Sequence, residues 1–119
     1  MFKVRADQMK VFDDIALAEF EEVAVDELRE TLPEETEEWS DEDLAKFVRR
    51  ALPRAESYGL ETETEVLCFA QAMVLLGETF DTDHNCVPAQ IVLKSSPLSS
   101  EEKGDLLFLV ARALVATVD

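Results

Sequence analysis

Apolar residues recur every three to five positions along the first quarter of the chain. The spacing matches one stripe of a 3.6-residue period and predicts an amphipathic helix from about Ala6 to Leu32. The stripe consists of Met9, Phe12, Ile15, Ala16, Phe20, Val23 and Leu28. Pro33 ends this helix or begins a short turn, because proline cannot continue a helical ladder but is tolerated in a first turn.

A second stripe follows Ser40, whose hydroxyl is placed to cap the amide of Asp43. Its apolar members are Leu44, Phe47, Val48, Ala51, Leu52 and Ala55. Pro53 lies inside this pattern and predicts a kink, since it removes one helical hydrogen bond. Gly59 supplies a stop, because glycine accepts the left-handed conformation that often ends a helix.

A third helix is predicted from the capping box Thr62–Glu65 to about Gly77. It is apolar on nearly every side after its first turn, which indicates the central helix of the fold. Pro88 begins a short helix, and a second capping box, Ser99–Glu102, opens the last one.

The pattern as a whole predicts an all-α protein. We expect residues 1–119 to form a single domain, a bundle of about four main helices with short helical turns between them. The chain has only three glycines and four prolines, fewer turn residues than a compact all-β fold of this length usually needs.

Charge narrows the choice of partner. The chain carries 27 acidic and 11 basic residues, a net charge of −16. This excess opposes binding to nucleic acid and to anionic membranes, where lysine and arginine supply the affinity. It favours solubility, and it equally favours a protein partner with a basic surface.

Location follows from what the sequence lacks. The N-terminus has no apolar segment of the kind found in a signal peptide, and no stretch reaches the roughly 18 apolar residues of a membrane span. Cys68 and Cys86 are too few for a disulfide framework. We therefore expect a cytoplasmic protein.

The acidic residues are concentrated in the first third of the chain. Residues 1–43 hold 16 acids and four bases, a net charge of −12. A partner-binding site is predicted there, consisting of Glu34, Glu35, Glu37, Glu38, Trp39, Asp41 and Glu42. Trp39 is either an interface anchor or a lid folded back on the core, and both interpretations stay open.

The loop Asp81–Cys86 is the strongest candidate for chemistry. Asp81, Asp83 and Asn85 match the first three ligand positions of an EF-hand calcium loop. Cys86 then stands where the motif requires glycine, and Val92 where it requires a bidentate glutamate. We therefore assign no metal site here, and we favour a turn in which Asp and Asn cap a helix end.

No catalytic residue is predicted. His84 and Cys86 are two residues apart in one loop, which is poor geometry for a thiol nucleophile and its base. Together with Cys68 they fall short of the four ligands of a structural zinc site. No phosphate loop, nucleophile elbow or HExxH helix is present. We expect a protein that is not an enzyme and needs no cofactor.

A set of helical positions between about residues 8 and 88 forms a further pattern. It consists of Gln8-Met9, Phe20, Leu28-Arg29, Leu32-Pro33, Ala55-x-x-Tyr58-Gly59, Thr62, Val66, Phe69, Leu76-Gly77 and Phe80-Asp81-x-Asp83. This pattern resembles a family of small, uncharacterised bacterial proteins encoded beside type VI secretion spike, PAAR and effector genes. The chain departs from the pattern at Pro53 and at Ala89. The resemblance implies a cytoplasmic adaptor, chaperone or immunity protein of an effector system.

Three functions are compatible with these features. The first is a protein-binding accessory whose partner is an effector or spike component with a basic surface. The second is an acidic mimic of nucleic acid that blocks a nuclease or another basic protein. The third is an enzyme or a calcium-dependent switch built on the loop Asp81–Cys86. Whether the chain also forms a homodimer is left open by the sequence.

Overall fold

A computed structural model describes residues 14–60 and 62–116, with side chains described from residue 18 to residue 115 except residue 61. The helices are α1 (Asp14–Thr31), α2 (Pro33–Thr36), α3 (Asp41–Ser57), α4 (Glu63–Leu76), α5 (Val87–Lys94) and α6 (Ser100–Ala116), with a 3₁₀ turn at His84–Cys86. No strand occurs in these ranges. The all-α prediction is confirmed, whereas the predicted start of the first helix at Ala6 lies outside the described residues.

Three predicted helix starts, at Ser40, Thr62 and Ser99, are confirmed by hydrogen bonds. The Ser40 hydroxyl accepts from the amide of Asp43 at 3.1 Å. In the Thr62–Glu65 box, the Thr62 hydroxyl accepts from the Glu65 amide at 3.1 Å, and the Glu65 carboxylate accepts from the Thr62 amide at 3.2 Å. In the box at Ser99, the Ser99 hydroxyl accepts from the Glu102 amide at 3.2 Å, and the Glu102 carboxylate accepts from the Ser99 amide at 2.9 Å.

Proline and glycine stand at helix boundaries, as expected. Pro33 begins α2. Gly59, with φ of +83°, follows α3, and Gly77, with φ of +112°, follows α4. α3 continues past Pro53 to Ser57, so this proline sits within one helix. The kink predicted at Pro53 stays a prediction.

α4 is the central helix, as its all-round apolar character predicts. It packs against α6 and α3, and also touches α1 and α2. Val66, Phe69 and Met73 are buried along it. Phe69 contacts Phe80 at a ring-centroid distance of 5.1 Å and Tyr58 at 6.0 Å. Full burial of one such side chain contributes about 1.5–3 kcal/mol to stability.

Arginines of α3 connect this helix to distant parts of the chain. Arg49 binds the buried Glu21 of α1 through two hydrogen bonds, at 2.6 and 3.0 Å. Arg50 binds Glu78, just after α4, at 2.6 and 3.2 Å. The paired geometry fixes both distance and orientation. These contacts set the position of α3 against α1 and against the end of α4.

The apolar stripe of α1 is only partly buried. Phe20 and Leu28 are buried, whereas Val23 is 41% exposed. Ile91 of α5 and Leu109 of α6 also reach solvent. Within the described ranges, no helix combines the length and apolarity needed to cross a bilayer.

Candidate protein-binding surface

The segment 33–43, which we call the acidic connector, joins α1 to α3. It contains α2 and the first residues of α3. All seven of its acidic side chains are exposed, and four of them, Glu34, Glu35, Glu37 and Glu38, precede α3. None of the four forms an ion pair with the residues that the structure describes. Their negative charge is therefore directed to solvent.

Arg29 of α1 holds the connector in place. Its Nη1 donates to the carbonyl of Thr36 at 2.9 Å, and its Nη2 donates to the carbonyl of Trp39 at 2.6 Å. Nη2 also lies 2.8 Å from Oδ1 of Asp41. One guanidinium thus satisfies two main-chain carbonyls and one carboxylate. The backbone between α2 and α3 is fixed by a residue 12 positions upstream of Asp41.

Trp39 has one of the two roles that the sequence left open, that of a lid on the core, and its role as an interface anchor stays a prediction. Its ring packs edge-on against Phe47 at a centroid distance of 5.0 Å and covers part of the core. The half-buried ring also lines an open depression of about 440 Å³. Glu38, Asp43, Lys46 and Arg50 complete the lining. Trp39 is a lid of the core whose outer part remains accessible.

Asp41 and Glu42 border a groove between α1 and α3. Asp41 is bound by Arg29, and Glu42 lies 3.6 Å from Lys46. The groove has a volume of about 320 Å³. Its lining consists of Ala18, Glu21, Glu22, Val25, Asp26, Asp41, Glu42 and Ala45. We call this the acidic groove.

The partner-binding site predicted from the sequence does not include Glu22 and Asp26 of α1. Both are exposed and face the acidic groove together with the start of α3. Their spacing of four residues places them on one face of a helix, and this spacing could have indicated from the sequence that they act together. The packing of α3 beside that face could not be read from either helix alone.

The carboxylate of Asp81 is buried and bound by residues at the end of α3. Its side chain is 7% exposed, and it accepts hydrogen bonds from Arg54 of α3 and from the Tyr58 hydroxyl, the latter at 2.9 Å. Arg54 also donates to the main-chain carbonyl of Glu78. This carboxylate ties the loop after α4 to the end of α3.

The remaining loop residues form a capped turn. Asp83 accepts a hydrogen bond from the amide of Asn85 at 2.9 Å and caps the 3₁₀ turn. Gln90 of α5 donates to the carbonyls of Phe80 and Asp83, at 3.0 and 2.5 Å. His84 is exposed. Nowhere in the described part of the chain do three His, Cys, Asp or Glu side chains come together as metal ligands.

Both thiols lie in environments that disfavour the thiolate. Burial, reinforced by Asp105 and Glu65, raises the pKa of Cys68 to about 11. Burial and then Asp83 raise the pKa of Cys86. Since the thiolate is the nucleophilic form, both side chains are poorly placed for nucleophilic attack near neutral pH.

Comparisons with family models, with curated proteins and with solved structures find no match for this chain. The resemblance to proteins encoded beside type VI secretion genes therefore stays a prediction.

Proposed function

We propose that the protein is a non-catalytic protein-binding accessory that engages a basic partner through the acidic connector and the adjoining acidic groove. One observation carries the proposal. The exposed carboxylates of Glu34, Glu35, Glu37 and Glu38 stand on a backbone that Arg29 holds in place, beside the accessible edge of Trp39.

The chemistry of this surface suits a basic protein. A concentrated field of one sign steers an oppositely charged partner and raises its association rate. Tryptophan is enriched among residues whose truncation weakens interfaces most. Because the connector is already held by hydrogen bonds, binding orders less of the chain and loses less conformational entropy.

The resemblance narrows the class of partner within this proposal. It points to a cytoplasmic adaptor, chaperone or immunity protein, bound to an effector or spike component of a type VI secretion system. A secreted enzyme or spike protein with an exposed basic surface would complement the net charge of −16.

A pair of charge-matched variants tests the surface. The protein is co-expressed with the products of the genes beside its own, and complexes are identified by size-exclusion chromatography. Replacing Glu37 and Glu38 with lysine should weaken such a complex about ten-fold or more, since two attractive contacts become repulsive. Replacing the exposed Glu101 and Asp105 of α6 with lysine changes the net charge equally and should have a small effect.

Two results would count against the proposal. One is the failure of every neighbouring gene product to co-elute with the protein. The other is an equal loss of binding in both double variants. That result would show that the loss depends on net charge and not on the acidic connector.

Nucleic-acid mimicry is the second candidate, and one feature of α1 favours it. Glu22, Asp26 and Glu30 are all exposed and follow one another at intervals of four residues. Consecutive charges are thus about 6 Å apart along the helix axis. A regular row of negative charges is what a DNA-binding protein meets on a phosphate backbone. Mimicry predicts competition with DNA for a basic nuclease and a steep loss of binding with salt, and binding undiminished by salt would contradict it.

A further inference from the structure

A second pocket lies on the opposite side of α1 from the acidic groove. It has a volume of about 250 Å³ and opens between the middle of α1 and the first turn of α4. Its lining consists of Phe20, Val23, Ala24, Glu27, Glu63, Thr64 and Leu67. At 100° per residue, positions 20, 23, 24 and 27 centre on the face opposite positions 18, 21, 22 and 25. The two sites are therefore separate surfaces.

Glu63 is the unusual member of this lining. It is 7% exposed, and its Oε1 atom is fully buried without a hydrogen-bond partner among the described residues. Burial, together with the nearby charge of Glu19, raises the pKa of Glu63 to about 7. Buried polar atoms are nearly always paired, so an orphaned carboxylate oxygen in a pocket indicates a missing partner.

The lining specifies the chemistry of that partner. Glu63 of α4 and Glu27 of α1 line the pocket, and the charge of Glu19 acts on Glu63, so together these carboxylates exclude an anion. The positive end of the α4 dipole amounts to about half a charge, less than these carboxylates together. The described carboxylates do not converge closely enough to hold a metal ion. Phe20, Val23 and Leu67 instead provide an apolar wall, which favours an organic cation with an aliphatic stem.

We propose that this pocket binds an alkylammonium group, with its stem against Phe20, Val23 and Leu67 and its ammonium on the Glu63 carboxylate. Because Oε1 is buried, the Glu63 side chain would turn toward the pocket to bring this oxygen to the ammonium, which would supply the hydrogen bond that it lacks. The same group occurs as a free aliphatic amine and as the end of a lysine side chain in a partner protein. Because the acidic connector is not involved, the proposal does not depend on the proposed function.

The test uses n-butylammonium chloride as the probe and NMR amide shifts as the readout. Saturable shifts are expected at Glu63, Thr64 and Leu67. Butanol, which has the same stem without the charge, should bind about ten-fold more weakly or not at all. The variant E63Q should lose about ten-fold in affinity. E101Q, which removes the same charge from an exposed position of α6 outside both surfaces, should bind like the wild type.

A second variant keeps the test independent of any effect of E63Q on folding. V23K places a lysine at an exposed position in the lining that Val23 shares with Glu63, so that its own ammonium would compete for this carboxylate. It should block the probe and lower the pKa of Glu63. The affinity of the wild type should rise about ten-fold between pH 6 and pH 8, as Glu63 loses its proton. Among the residues that the structure describes, Glu19 acts on Glu63 through its charge and Glu27 lines the same pocket.

The two sources of the group are distinguished by a blocked peptide, N-acetyl-Gly-Lys-Gly-amide. Binding of this peptide at least as tightly as butylammonium supports a lysine of a partner protein. Binding of butylammonium alone supports a small amine. Equal binding of butanol, equal binding by E63Q and the wild type, or no saturation with either probe would overturn the proposal.

Discussion

The guanidinium of Arg29 donates a hydrogen bond to the main-chain carbonyl of Trp39 across a distance of 2.6 Å. The same group holds the carbonyl of Thr36 at 2.9 Å. R29M would leave both carbonyls without this donor. We expect the free energy of unfolding to fall by about 1–3 kcal/mol, which urea denaturation would measure.

The control for Arg29 is its exposed partner. Asp41 is 82% exposed at its side chain, and pairs of this kind contribute about 0–1 kcal/mol. D41N should therefore be nearly neutral. A loss in D41N as large as in R29M would assign the stabilisation to the ion pair and not to the main-chain carbonyls.

Substitution of the buried Asp81 should destabilise the protein more than substitution of the exposed Asp41. D81N weakens its ion pair with Arg54 and its acceptor for Tyr58, and we expect a loss of about 2–4 kcal/mol in urea denaturation. Burial and the hydrogen bond to Asp81 raise the pKa of Tyr58. Ultraviolet titration should therefore find this pKa lower in D81N. Unchanged stability would mean that Asp81 does not fix the loop after α4.

Stability should depend on pH through Glu63, whose pKa is raised from 4.5 to about 7. Between these values the folded state binds more protons than the unfolded state, so stability falls as pH rises through this window. The loss contributed by Glu63 reaches on the order of 3 kcal/mol above pH 7. E63Q should match the wild type near pH 4.5 and be the more stable protein at pH 8.

E22Q is the control variant for E63Q. Removing any one negative charge reduces the overall repulsion in a strongly acidic protein, so part of the gain in E63Q could come from net charge alone. Urea denaturation at pH 5 and at pH 8 would separate the two effects. If E22Q and E63Q gain equally at pH 8, the pH dependence belongs to the overall charge.

Pro53 should reduce the stability of α3. Its ring removes the hydrogen bond to the carbonyl of Arg49 and clashes with that carbonyl within the helix. P53A is expected to raise the free energy of unfolding by roughly 1–2 kcal/mol, after the gain is offset by a more flexible unfolded chain. A lower stability for P53A would show that the proline is accommodated without cost.

The two thiols should react slowly. With the pKa of Cys68 near 11, its alkylation by iodoacetamide at pH 7.5 should be at least about ten-fold slower than that of free cysteine. Cys86, whose pKa is also raised, should react more slowly than free cysteine as well. Unfolding in guanidinium should restore the ordinary rate. A thiol that reacts faster than free cysteine would contradict this and would favour a catalytic role.

Local features of the fold could be predicted from the sequence because their causes are local. The caps at Ser40, Thr62 and Ser99 each depend on side chains no more than three positions away. The all-round apolar character of α4 likewise indicated its central position. In these cases short-range preference and tertiary packing agree.

Long-range contacts could not be predicted in the same way. Arg49 and Glu21 are 28 positions apart, and many other acidic residues were equally plausible partners for each arginine. The burial of Glu63 depends on how α1 crosses the first turn of α4. Its spacing of four residues from Leu67 was a weak indication of an inward position, but the capping box beside it suggested an exposed turn.

The arginines at the helix contacts have a consequence for the solvent around the protein. Arg29, Arg49, Arg50 and Arg54 each bind a carboxylate within the fold, while many other carboxylates face outward. The outer layer of such a surface attracts small cations from the buffer. A basic partner would displace them, and their release into solution favours binding. The slope of affinity against salt concentration should then count the displaced ions, and so measure how much of the acidic surface the partner covers.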